Sequence, residues 1–157
     1  MLLDFLFLTI TYSAGILVSG LVTILSIISF LIHKHSKRIL PLLVSVLGST
    51  TTVYIMKITF GLARPETAFY LEDTFTFPSG HAAIGVALYG FLFLTIWQHQ
   101  KHHIKNKSLI LLGLLILMIG FSRIYLGVHY LEDVLAGYTI GLFWLFISQK
   151  LFPGAVK

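Results

Sequence analysis

The sequence predicts an all-helical bundle of about five membrane-spanning helices, and three observations predict it. Of 157 residues, 57% are hydrophobic and only 11% are charged, against about 25% charged in soluble domains. The apolar residues gather in five stretches. Each is long enough to cross a hydrocarbon core of ~30 Å at a rise of ~1.5 Å per residue. No alternating apolar–polar run of useful length interrupts them, and only helices or closed barrels can span lipid. One integral-membrane domain, 1–157, is the natural count. The absence of cysteine excludes a disulfide framework and a thiolate metal site. The net charge of +5 would point to nucleic acid only if its placement were ignored, so no nucleic-acid partner is expected.

The first stretch, Phe5 to Ile32, exceeds the bilayer width and is expected to tilt or protrude. It lacks a basic leader and a short apolar core, so it does not read as a cleaved signal peptide. The second covers Ile39 to Phe60, with Pro41 in its first turn, where proline is tolerated. The third opens near Ser79 and runs to Trp97. The fourth covers Ser108 to Tyr125, and the fifth Leu131 to Phe152. The longest connection, Gly61 to Pro78, carries Pro65, Glu66, Glu72 and Asp73 among Phe69, Tyr70, Phe75 and Phe77. Such aromatics suit the headgroup level.

Charge placement groups the ends. His33-Lys34-His35-Ser36-Lys37-Arg38 carries three bases, Gln98 to Lys107 three more, and Lys150 and Lys157 follow. In a five-helix alternation these eight of the eleven Lys and Arg share one side, which the positive-inside rule makes cytoplasmic. The opposite side holds all six acids: Asp4, Glu66, Glu72, Asp73, Glu132 and Asp133. It also holds Lys57, Arg64 and Arg123. Bases on the side where the rule disfavours them call for an anion there.

Three clusters on that side carry chemistry. Lys57 and Arg64 are seven apart, two turns, and share a face if the helix continues; Pro65 marks the expected exit. The arginine fork matches phosphate oxygens, although snorkelling alone would also place such bases at a helix end. Phe77-Pro78-Ser79-Gly80-His81 begins the third helix. A helix start offers free N–H groups and the positive dipole end to an anion. Gly80 admits close approach to the backbone, and His81 can reach the anion as an acid. The plainer alternative is an ordinary N-cap with an interfacial histidine. Last, His129 and Asp133 are four apart, so a helical turn sets the carboxylate beside the ring. An acid that accepts the Nδ1 proton leaves Nε2 free as a nucleophile. A structural ion pair at a helix corner would look the same in sequence. Taken together, three cations, a helix start, two histidines and an orienting acid suit the binding and transfer of a tetrahedral anion.

Lys57-x6-Arg64-Pro65, then Pro78-Ser79-Gly80-His81, then Ser122-Arg123-x5-His129-x3-Asp133 resemble the three-part signature of the type 2 phosphatidic acid phosphatase superfamily. Every signature position is matched, over about half the chain. The resemblance implies a phosphatase or pyrophosphatase acting on a lipid phosphate in the bilayer, with no metal and no other cofactor. It implies that His129 attacks phosphorus to form a phosphohistidine, that Asp133 orients it, and that His81 protonates the leaving oxygen. Lys57, Arg64, Ser79, Gly80 and Arg123 would hold the phosphate. Vanadate-dependent haloperoxidases of the same family are soluble, and this chain is too apolar for that branch. Membrane members usually carry six spans with both termini in the cytoplasm; five are read here, with Met1 outside. The expected substrates are undecaprenyl pyrophosphate, phosphatidylglycerol phosphate, phosphatidic acid or lipid A phosphate, taken at the outer interface of a cell envelope. A transporter or flippase that binds an anionic lipid without chemistry is the rival, and a scaffold held by ion pairs a third. A homo-oligomer is left open.

His99, His102 and His103 sit in a basic loop on the far side with no acid nearby, and are not promoted to a metal site. Gly137 and Gly141 have the small-xxx-small spacing of close helix contacts, inside the bundle or between protomers.

Overall fold

The computed structural model of the chain describes residues 1–66, 68–70, 72–99 and 102–155, apart from the side chains of 99 and 102–105. Gln100, Lys101 and Lys157 of the basic segments, and the side chains of His99, His102, His103 and Lys105, therefore lie outside the described residues. The described residues are helical, with no strand among them. Helices α1 (Leu2–Tyr12) and α2 (Ile16–Ile32) lead through a 3-10 turn at Ser36–Arg38 into α3 (Ile39–Phe60). Helix α4 (Gly80–Ile84) passes through a π-helical turn, Gly85–Gly90, into α5 (Phe91–His99). Helices α6 (His102–Tyr125) and α7 (Leu131–Leu151) complete the bundle.

Among the described residues, four segments are long and apolar enough to cross a membrane: Ser36–Phe60, Gly80–Gln98, Asn106–Tyr125 and Leu131–Leu151. The α1–α2 pair, bent by 48°, passes the same test as one broken span and raises the number to as many as five. The break corrects the expectation of one continuous first helix. Two bonds mark it: Ser13 Oγ turns back onto Ile10 O at 2.6 Å. The Ser13 carbonyl accepts from Tyr89 OH at 2.5 Å, so it bonds across the bundle instead of along the helix. Gly15 is then extended (φ −68°, ψ 159°) and starts α2 afresh.

The interior gathers Leu42, Val86, Leu88, Phe91, Ile119 and Leu145. Outward faces carry Leu21, Ile24, Leu25, Leu114, Leu142 and Phe146, all exposed, as suits helices that face lipid. Helix α7 packs against both α3 and α4. A Cβ on Gly137 would collide with the Ser79 carbonyl and come within 3.0 Å of Ala82 Cβ. On Gly141 it would lie 2.7 Å from Val86 Cβ. Only hydrogen fits at these two crossings, so the Gly137–Gly141 pair packs within the bundle. This contact brings the start of α7 against the start of α4, and thereby positions the site.

Candidate active site

The site is assembled at one end of the bundle, where the α6–α7 corner, the start of α4 and the loop after α3 meet. Helix α6 ends in a Schellman motif. Gly127 is left-handed (φ 63°), its N–H bonds Ile124 O at 2.9 Å, and Val128 N–H bonds Arg123 O at 3.2 Å. The reversal folds His129 back over Arg123, whose carbonyl also accepts the His129 N–H at 3.2 Å. Asp133 lies in the first turn of α7. Its Oδ2 accepts from Tyr130 N–H at 2.9 Å, which caps the helix, and lies 3.2 Å from His129 Nδ1. His129 and Asp133 are each 3% exposed. Ser79 N–H donates to Asp133 O at 2.9 Å, tying α4 to α7.

The last turn of α3 and the loop after it supply Lys57 and Arg64 by a route the sequence did not predict. The helix stops at Phe60, because Gly61 caps it in the left-handed region (φ 58°). Lys57 and Arg64 therefore do not share a helix face, which corrects that expectation. Both still converge on residues 72–76. Lys57 Nζ donates to the carbonyls of Phe75 and Thr76. Arg64 Nε donates to Thr74 O at 2.8 Å, and Nη1 to Val128 O at 2.8 Å. The same Nη1 stands 3.3 Å from His129 Nε2. Arg123 is fully buried. Its Nη1 donates to Thr11 Oγ1 at 2.8 Å and Tyr70 OH at 2.5 Å, and its Nη2 pairs with Glu72. Its Nε is buried without an acceptor among the described residues.

Glu72 bridges the two arginines, with Oε2 at 2.5 Å from Arg64 Nη2. Burial pushes its carboxyl up, but the Arg123 and Arg64 cations outweigh this and hold it down to about 2. Burial also disfavours the charged form of His129. Asp133 works against that burial, while Arg123, Arg64 and Lys57 reinforce it, and the ring is pushed down to about 4. The imidazole is thus neutral at ordinary pH, with a lone pair to offer.

His81 stands in the first turn of α4, and its side chain makes no hydrogen bond among the described residues. It faces the α1–α2 break, where a Cβ on Gly15 would lie 3.8 Å from His81 Nε2. An apolar groove lined by Ala14, Ile16, Ser49 and Val53 runs past it. Ser79 is fully buried and caps α4, its Oγ accepting from Ala82 N–H at 3.5 Å. Gly80 opens the helix, whose first N–H groups have no partner within it. Ser122 bonds Ile119 O at 2.6 Å and turns away from the cluster. All eight residues singled out in the sequence thus lie at this end. Sequence reasoning did not assign Thr11, Tyr70, Glu72 or Thr76 to it. A polar break, Thr11-Tyr12-Ser13-Ala14-Gly15, inside an over-long apolar stretch was the available signal for the first of these. For Thr76 there was none.

Fold and site together define a polytopic helical membrane protein with a buried His–Asp pair set among arginines. The chain belongs to the PAP2 superfamily, which matches residues 38–157. It is 36% identical over 97 residues to phosphatidylglycerophosphatase B of Bacillus subtilis, covering 60% of this chain and 47% of that protein. It is 28% identical over 130 residues to an undecaprenyl-diphosphatase of Sulfolobus acidocaldarius, covering 77% and 59% respectively. The chain thus spans about half the length of these curated relatives. The crystal structure of a transmembrane PAP2-type phosphatidylglycerolphosphate phosphatase from Bacillus subtilis superposes with a TM-score of 0.83 at 26% identity, covering 95% of this chain and 76% of that one.

Proposed function

We propose that the chain hydrolyses a phosphate mono- or diphosphate ester on a membrane lipid, without a metal, through a phosphohistidine at His129. One observation carries this reading: His129 Nδ1 is held by Asp133, while Nε2 lies 3.3 Å from the Arg64 guanidinium. A phosphate seated on Arg64 and Arg123 comes within reach of the Nε2 lone pair. The lone pair forms the N–P bond as the P–O bond to the lipid breaks, and His81 delivers a proton to the departing oxygen. Water then attacks phosphorus, the N–P bond breaks, and His81 takes the water proton. Lys57, Arg64, Arg123, Ser79 and the N–H of Gly80 balance charge on the equatorial oxygens. To admit the phosphate, Glu72 yields at least one guanidinium. The groove past His81 is apolar, which suits a lipid chain on the leaving-group side.

The names of the relatives support phosphatidylglycerol phosphate and undecaprenyl pyrophosphate as substrates, and phosphatidic acid and lipid A phosphate complete the panel. The site end faces the periplasm or exterior and the basic end the cytoplasm, as the positive-inside rule supports. Phosphate release from these four lipids by purified protein in EDTA tests the activity. Turnover of at least one supports it, and binding without release favours a transporter. The chain has no cysteine, so single cysteines at Lys34 and Asp73 test orientation. An impermeant thiol reagent on intact cells should label the second and spare the first.

A further inference from the structure

We propose that Thr76 is a positioning residue for the His129–Asp133 pair, its hydroxyl holding Asp133 and fixing His129 in the tautomer with the proton on Nδ1. The inference rests on the reading of His129 as nucleophile. Thr76 is 1% exposed, in the loop just before α4. Its Oγ1 donates to Asp133 Oδ2 at 2.5 Å and lies 3.2 Å from His129 Nδ1. A hydroxyl has one proton, and an ionised carboxylate has none to give. The Thr76 proton therefore goes to Asp133, and only lone pairs are left to face the ring. Nδ1 must then be the donor.

The opposite edge of the ring gives the same answer independently. Arg64 Nη1 stands 3.3 Å from His129 Nε2, and a guanidinium offers donors only. Nε2 must present its lone pair there. Two contacts from two different loop residues select one tautomer, the one that attack by Nε2 requires. Asp133 Oδ2 also serves as the cap for Tyr130 N–H, and the Thr76 proton adds a further hold on the same oxygen. Backbone bonds hold Thr76 in place. Its N–H donates to Leu62 O at 2.9 Å, and its carbonyl accepts from Lys57 Nζ at 3.3 Å. The side chain that aims the nucleophile is thereby tied to a cation expected on the phosphate.

Threonine and valine have nearly the same shape, so Thr76→Val removes the hydroxyl and little else. Wild type, Thr76→Val, Thr76→Ser and His129→Ala are assayed on whichever of the four lipids wild type turns over fastest. Thr76→Val should lower kcat about 10- to 100-fold with KM changed less than about twofold. Thr76→Ser should stay within about threefold of wild type, because the hydroxyl is kept. In protein with nitrogen-15 in its histidine rings, the signal missing from His129→Ala should report a protonated Nδ1 and a bare Nε2. Full kcat in Thr76→Val overturns the proposal. Equal losses in the valine and serine variants also overturn it, since they mark a packing role. If Thr76→Val folds poorly, Thr76→Ala takes its place against Thr76→Ser under the same criteria. Activity in His129→Ala sinks the nucleophile assignment instead, whatever Thr76 does. The ring spectrum tests the tautomer even if no lipid is turned over, and a wild-type ring protonated on Nε2 overturns it.

Discussion

At one end of the bundle Lys34, Lys37, Lys107 and Lys150 are exposed. At the other, Arg123 is fully buried, with a carboxylate, a phenol and a threonine around it. Exposed bases at helix ends need only the interface and the orientation rule to explain them. A buried arginine must overcome a desolvation cost of several kcal/mol, and ionisable groups at membrane depth mark function by default. Even the exception fits. Arg38 at the basic end is 5% exposed, yet its Nε closes on Ala155 O at 3.3 Å, a contact that fastens the C-terminal turn. The difference between the ends is therefore what each charge is buried against, more than how many charges there are.

That contrast can be broken or sharpened by substitution. The largest effect belongs to His129→Ala, which should lower kcat/KM by more than about 10³-fold; lipid phosphate turnover checks it, and a rate near wild type ends the assignment. Asp133→Asn should follow, at about 10²- to 10⁴-fold. Because Asp133 also caps α7, the same change should cost about 0.5–2 kcal/mol of stability, read by thermal unfolding in detergent. Arg123→Lys keeps the charge but loses the fork, and should cost about 10²-fold in kcat/KM. At the other end, Lys34→Ala with Lys37→Ala should change turnover by less than about twofold, since exposed charges couple weakly to a distant site.

A pH profile sharpens the comparison in another way. Burial lowers His129 to about 4, so protonation removes the Nε2 lone pair only below that point. The acid limb of kcat/KM should therefore fall near pH 4. An acid limb at the ordinary histidine value of about 6.5 would mean that His129 is solvated.

Most of this site was legible because charge is scarce in an apolar chain. Lys57, Arg64, His81, Arg123, His129 and Asp133 each interrupt an apolar pattern at or just beyond the end of a helix, and the alternation of spans puts those ends together. The helix boundaries at Ser79 and Leu131 were readable from proline, serine and the acidic turn. The break after Tyr12 was not, because it depends on Tyr89 taking the Ser13 carbonyl across the bundle. The apolar stretch Ile39–Phe60 bounded α3 correctly, but the left-handed cap at Gly61 ends the helix four residues before Pro65, the other exit signal. Thr76 and Glu72 belong to a loop whose path is set by tertiary bonds: Thr76 N–H to Leu62 O and Phe69 N–H to Leu126 O. No periodicity carries such information.

The central claim, a covalent step at His129, is tested most directly by trapping. Purified protein is mixed with a lipid carrying radiolabelled phosphate, quenched in alkali during turnover, and mapped by peptide. Label should sit on the peptide that contains His129, survive alkali, be lost in acid, and vanish in His129→Ala. Steady phosphate release with no label on that peptide, or label that persists in His129→Ala, would contradict the account.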